Sequence, residues 1–144
     1  MPNALTLQAY KDWKASCDLL ASSLSRYKPY DRLKTYSAED LVFYDSLSFR
    51  YTKAIETGFY FFRAIELEMT KNTSQFVRDQ LLKMEKLEIV TDTEQWINAR
   101  KLRNRITHSY DPDELEIIFR DLTFHAHKIL EDCRRAQEHI QANS

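Results

Sequence analysis

Residues 37–69 read SAEDLVFYDSLSFRYTKAIETGFYFFRAIELEM, and this stretch has a long, regular spacing of apolar residues. Ser37 can cap exposed amide groups at a helix start, and Asp40 three residues later completes a variant of the capping box. After that start, mostly apolar residues recur every three or four positions, which is the spacing of one helical face. They are Leu41, Tyr44, Ser48, Tyr51, Ile55, Phe59, Phe62, Ile65 and Met69. The stretch therefore predicts one long helix.

The run Phe59-Tyr60-Phe61-Phe62 places aromatic rings on more than one face of this helix. Two interpretations remain open. The rings either form a bulky core within the chain, or some of them are buried against another subunit.

Four further segments show helical spacing. The first ends near Lys28-Pro29-Tyr30 and carries Tyr10, Trp13, Cys17, Leu20, Leu24 and Tyr27. A short second segment carries Phe76, Gln80, Met84 and Leu87, and a third, with a start at Thr91 and Glu94, carries Trp96, Ala99, Arg103 and Ile106. The last carries Leu115, Ile118, Leu122, Ala126, Ile129, Cys133 and Ile140. The last has the clearest start, because Asp111, Pro112 and Glu114 occupy the N-cap, N1 and N3 positions. We expect a single all-α domain over residues 1–144, an up-and-down bundle of the four-helix type with one extra short helix.

Composition agrees with this class and excludes others. One glycine and three prolines leave few residues for the tight turns of an all-β domain. A chain that is 43% hydrophobic and 30% charged is unlike a disordered one. The net charge of -1 argues against a protein that coats nucleic acid nonspecifically, so any RNA binding must be local. Two cysteines, no secretory leader and no long apolar run predict a cytoplasmic protein without membrane partners.

The densest cluster of cations lies just before the last helix. Arg100, Lys101, Arg103 and Arg105 fall within six residues, and His108 follows within one turn. Taken alone, such a cluster is most often a solvated basic helix face, favoured by the helix dipole near a C-terminus.

The order of residues in this segment resembles a known motif. Residues 103–110, RNRITHSY, match the R-N-x3-H-x-Y form of the motif of the HEPN superfamily, and residues 45–51, DSLSFRY, resemble the D-S-L-x-x-R-[FY] stretch of nucleotidyltransferase-associated HEPN proteins. Related proteins often carry an aromatic residue and a glutamate soon after that stretch, where this chain has Thr52-Lys53.

Helix geometry sets a condition on the motif. Five residues rotate by about 140° in an unbroken helix, so Arg103 and His108 would not share a face. Pro112 disfavours helical conformation in the residue before it, so the preceding helix must end by about Tyr110. A frayed last turn could bring His108 towards Arg103.

The resemblance implies a helical, HEPN-like fold and a metal-independent endoribonuclease toxin of a prokaryotic toxin–antitoxin system. Cleavage of RNA without a metal needs a base for the 2′-hydroxyl, a cation for the phosphorane and an acid for the leaving oxygen. One histidine and one arginine are too few, and HEPN ribonucleases are homodimers in which two motifs meet. We therefore expect His108 to be the general acid/base, Arg103 to bind the scissile phosphate, and Asn104 to orient His108 or the substrate.

The remaining site residues follow from the same resemblance. In HEPN toxins paired with a minimal nucleotidyltransferase antitoxin, the motif tyrosine receives AMP, which implies the same for Tyr110. The added charge would repel RNA. We expect Arg100, Lys101 and Arg105 to contact RNA phosphates. Asp45 and Arg50 are expected to support the cleft.

Two other functions stay open. The chain could be the non-catalytic substrate-binding subunit of a two-component nucleotidyltransferase, or a helical interaction protein in which the motif is accidental. No cofactor or metal is expected, because His125 and His127 lie two apart and do not form the i, i+4 pair of zinc-binding helices. Cys17, Cys133, Trp13 and Trp96 are expected in the core.

Overall fold

The computed structural model describes residues 2–144 and contains five helices. They are α1 (Ala4–Leu24), α2 (Ala38–Thr70), α3 (Val77–Lys86), α4 (Thr93–Ile106) and α5 (Pro112–Ala142). No strand occurs between residues 2 and 144, and the all-α prediction is confirmed. In the same residues, no helix combines the length and apolar character that crossing a bilayer requires.

The four larger helices alternate in direction. At one end of the bundle, Thr6 of α1 contacts Ala64 of α2, and towards the other end Leu19 contacts Arg50, so these two helices are antiparallel. Helix α4 runs opposite to α5, because Gln95 lies beside His125 whereas Arg105 lies beside Glu114. The short α3 packs against α2 and α4. The result is the up-and-down bundle with one extra short helix that the sequence predicts.

One buried aromatic cluster joins the helices at the centre. The indole of Trp13 stacks on Phe61 and meets Phe62 and Trp96 edge-on, and all four rings are fully buried. Gly58 of α2 faces both indoles, with no room between for a side chain. The expectation that Trp13 and Trp96 are core residues is confirmed, and Tyr60 alone in the run 59–62 is largely exposed.

Two helix starts are as expected. The Ser37 side chain accepts from the Asp40 amide while Asp40 accepts from that of Ser37, which completes the capping box of α2. Asp111 caps α5 with Pro112 at its first position. Both starts depend on chemistry within four residues, which explains why sequence alone finds them.

Three local expectations are wrong. Helix α4 is capped by Asp92 and not by Thr91, because the Thr91 hydroxyl donates to the buried Asp132 carboxylate at 2.8 Å. Phe76 is not on the buried face of α3, whose buried residues are Leu81 and Met84. Met69 also lies exposed near the end of α2.

Candidate active site

The motif spans the end of α4 and the turn that leads into α5. The helix ends at Ile106, after which the His108 amide still donates to the Arg105 carbonyl at 3.1 Å. The Thr107 hydroxyl donates to the Asn104 carbonyl at 3.2 Å. The helix thus ends before Tyr110, as the following Asp111-Pro112 requires.

The turn is fastened to the next helix by one carboxylate. Oε1 of Glu114 lies 2.9 Å from the Ser109 hydroxyl and 3.6 Å from a guanidinium nitrogen of Arg105. The same hydroxyl is 3.0 Å from the Arg105 carbonyl. Glu114 was expected at the N3 position, but Ser109 carried no signal in the sequence that would have singled it out. Together these contacts connect the end of α4 to the first turn of α5.

The four cations of the cluster divide between two directions. Arg100 and Arg103 differ by about 60° around α4, and both line a groove against α2. Lys101 and Arg105 differ by about 40° on another side, where Arg105 meets Glu114. The structure therefore does not keep the cluster together as one basic surface.

Arg103 is half-buried at the rim of this groove. Its guanidinium lies 3.4 Å from the side-chain oxygen of Asn104, which contacts Arg103 and not His108. Beneath it, the Tyr51 hydroxyl donates to the Ala99 carbonyl at 2.8 Å and attaches α4 to α2. Burial raises the pKa of Tyr51, and the positive charge of Arg103 opposes that rise.

His108 and Tyr110 project from the turn into solvent. Tyr110 is 86% exposed, and His108 is exposed as well. Within residues 2–144 neither side chain takes part in a hydrogen bond, and none joins His108 to Arg103 or Asn104. A single chain thus places the arginine and the histidine on one end of α4 without connecting them.

Asp45 and Arg50 do not reach the motif through any polar contact in the described residues. Arg50 donates to the Leu19 carbonyl at 3.1 Å and to the Ser23 hydroxyl at 2.8 Å, so it links α2 to α1. Asp45 is exposed. Within one chain the DSLSFRY stretch is explained by packing, since its leucine and tyrosine are buried and its arginine joins two helices.

The histidine and cysteine side chains outside the motif that could take part in chemistry include His125, Cys17 and Cys133, which are partly or fully buried. His125 Nδ1 lies 3.0 Å from the Gln95 amide, and burial lowers the pKa of His125 more than Asp121 raises it. Residues 2–144 hold no group of three or more histidine, cysteine or acidic side chains placed to bind a metal ion. Cys17 and Cys133 are buried as expected, and the neighbouring Cys133 thiol together with burial raises the pKa of Cys17.

The groove beside Arg103 was not expected from the sequence. It has a volume of about 420 Å³ and lies between α2, the segment that follows it, and α4. Besides the two α4 arginines, its walls include Glu56, Tyr60, Arg63 and Phe76. These residues are far apart in the chain and share no motif.

Comparisons with known protein families, with curated proteins and with solved structures find no match to this chain.

Proposed function

We propose that this chain is a metal-independent endoribonuclease toxin whose active site is formed by two copies of the motif. The observation that carries the proposal is the placement of Arg103 and His108, both accessible at one end of α4 within the spacing R-N-x3-H-x-Y. A histidine free of hydrogen-bond partners can exchange protons with a substrate, and an arginine at a groove can hold a phosphate.

The reaction needs both copies. His108 of one copy takes the proton of a ribose 2′-hydroxyl, and the oxygen attacks the adjacent phosphorus. Arg103 stabilises the charge that accumulates on the phosphate oxygens. As the bond to the 5′-oxygen breaks, His108 of the second copy donates a proton to that oxygen. The products are a 2′,3′-cyclic phosphate and a 5′-hydroxyl, with no metal or cofactor needed.

The exposed face of α2 supports an association of two copies. Val42 and Phe49 lie two turns apart on that face and are 61% and 69% exposed. Two turns further along the same face, Glu56 lines the groove that contains Arg103. Pairing two chains through Val42 and Phe49 would remove apolar surface from water and set their motifs side by side.

Tyr110 supports control by a partner. Its phenol is accessible to a second enzyme and lies two residues from His108. A minimal nucleotidyltransferase would join the phenolic oxygen to the α-phosphate of ATP, releasing pyrophosphate and a proton. The resulting phosphodiester adds bulk and negative charge beside the catalytic pair and repels RNA. Accessibility of Tyr110 equally suits the alternative, a non-catalytic substrate-binding subunit of a two-component nucleotidyltransferase.

Cleavage of a labelled single-stranded RNA in the presence of EDTA tests the catalytic claim. His108→Ala should lower the rate by roughly 100-fold or more, as loss of a general acid/base does. The matched control is His127→Ala, because that histidine is also exposed but lies on α5. Full cleavage by His108→Ala would refute the proposal.

Intact-mass measurement after co-expression with a neighbouring nucleotidyltransferase gene tests the regulatory claim. We expect one AMP on the wild type and none on Tyr110→Phe. Modification without RNA cleavage by the unmodified chain would favour the non-catalytic subunit.

A further inference from the structure

The groove beside Arg103 carries an excess of positive charge. Arg63 of α2 and Arg100 and Arg103 of α4 line it, and Glu56 is the acidic residue in its lining. None of these three arginines forms an ion pair with another residue of the described chain, whereas Arg78, Arg105 and other arginines do. Unpaired guanidinium groups around one concave surface attract phosphate oxygens, which they bind in a bidentate manner.

Two exposed aromatic rings belong to the same groove. Tyr60 projects from α2 and is 66% exposed, while Phe76 precedes α3 and is 63% exposed. Most of the Phe76 ring stays in contact with water, and Phe76 does not belong to the buried core, so packing does not explain its place in the groove. Aromatic faces next to arginines are the combination that proteins use to stack the bases and hold the backbone of a single strand.

The segment that carries Phe76 is held in place by a buried carboxylate of α2. The buried Glu66 carboxylate accepts hydrogen bonds from the Ser74 amide at 3.1 Å, from Gln80 at 2.6 Å and from Lys83 at 3.1 Å. These contacts fix residues on both sides of Phe76 to α2. The ring is therefore presented from an anchored segment, which lowers the entropy lost when a base stacks on it.

We infer that this groove binds an unpaired nucleobase of single-stranded RNA between Tyr60 and Phe76, with the neighbouring phosphates on Arg63 and Arg100. The inference rests on the proposed function, because it extends the RNA path from the scissile phosphate at Arg103. A volume of about 420 Å³ falls within the range of small-ligand sites, roughly 300–1,000 Å³. The groove thereby selects unpaired RNA, since a base within a duplex has no free face to stack.

Binding of a fluorescent 2′-O-methyl RNA strand tests the inference apart from catalysis, because the blocked 2′-oxygen cannot attack. Phe76→Ala should weaken binding on the order of tenfold with an unchanged salt dependence. Arg63→Ala should weaken binding and reduce the slope of log affinity against log salt by about 0.7, the contribution of one phosphate contact. Both side chains are exposed, and circular dichroism will confirm that the variants fold.

The matched controls are Phe124→Ala and Arg26→Ala, which are exposed residues outside the groove and should bind as the wild type does. Equal affinity of Phe76→Ala and Phe124→Ala would overturn the inference, as would equal affinity for duplex and single-stranded RNA. Displacement of the strand by AMP, with no effect of strand length, would also overturn it and indicate a site for free nucleotides. Strand binding with the expected losses supports the groove even if His108→Ala still cleaves, which separates this outcome from that of the proposed function.

Discussion

Replacing Gly58 by alanine tests how closely α2 packs against the two buried indoles. A Cβ at this position would lie 2.9 Å from Cη2 of Trp96 and 3.1 Å from Cε2 and Nε1 of Trp13. All three distances are shorter than van der Waals contact, and the fully buried indoles pack against Phe61 and Phe62. Neither ring can withdraw without disturbing the centre of the core.

Two effects of opposite sign decide the result. Alanine is favoured over glycine inside a helix by about 1 kcal/mol. Overpacking a filled core typically costs about 1–3 kcal/mol. Since the added methyl group meets rigid rings on two sides, we expect the second effect to prevail and the free energy of unfolding to fall by about 1 kcal/mol. In a chain of this size that loss lowers the melting temperature by roughly 3 °C.

Urea denaturation at one fixed protein concentration measures this change, since association would make stability depend on concentration. The matched background is Trp13→Leu, whose side chain ends before the positions of Cε2 and Nε1 and so removes two of the three close approaches. There Gly58→Ala should cost less than in the wild type, which a double-mutant cycle quantifies. A stability gain of about 1 kcal/mol in the wild-type background would mean that the methyl group fits freely and that the core is not tightly filled at Gly58.

Two further substitutions test the anchors of the site. Burial raises the pKa of Glu66, but hydrogen bonds from Ser74, Gln80 and Lys83 outweigh it and leave that pKa below its usual value. The ionised Glu66 therefore stabilises the fold above the pKa of an unfolded carboxyl group, and this stabilisation is lost as pH falls through the folded pKa. In urea titrations, Glu66→Gln should lower the free energy of unfolding by about 2 kcal/mol at about pH 7 and by far less at about pH 3. An equal loss at both pH values would contradict this linkage. In thermal unfolding, Asp111→Ala should lower the free energy of unfolding by about 1 kcal/mol because the α5 cap is lost. The control, exposed Asp113→Ala, should lower it by about 0.5 kcal/mol or less, and equal losses would show that the cap contributes nothing.

The extent to which sequence predicts this fold follows from how local each determinant is. The starts of α2 and α5 are encoded in a few adjacent residues, Ser37 with Asp40 and Asp111 with Pro112, and both are found correctly. On α3 the sequence is right at Met84, which is buried, and wrong at Phe76, because the distant Glu66 of α2 holds Ser74 and Gln80 on either side of Phe76 and this ring lies exposed before the helix. The cap of α4 is misplaced for a similar reason, since both Thr91 and Asp92 can cap a helix and the distant Asp132 binds Thr91.

The candidate site shows the same division. Local sequence singles out Arg103 and His108 as candidates and predicts that α4 ends by about Tyr110; the helix ends at Ile106. It does not reveal that Arg100 and Arg103 face α2 while Arg105 turns towards α5, because those directions depend on neighbouring helices. The groove itself is assembled from residues of α2, the α2–α3 segment and α4, and no spacing rule joins positions so far apart.

The buried Glu66 has a consequence for how such a protein can diversify. It fastens the segment bearing Phe76, whereas the turn bearing His108 is fastened by Glu114 and the Asp111 cap. Because the two anchors share no residue, substitutions around Phe76 leave the contacts that hold the turn bearing His108 unchanged. Under the function and the groove ligand proposed above, RNA preference and cleavage can thus drift separately under selection, on a bundle that changes in neither case.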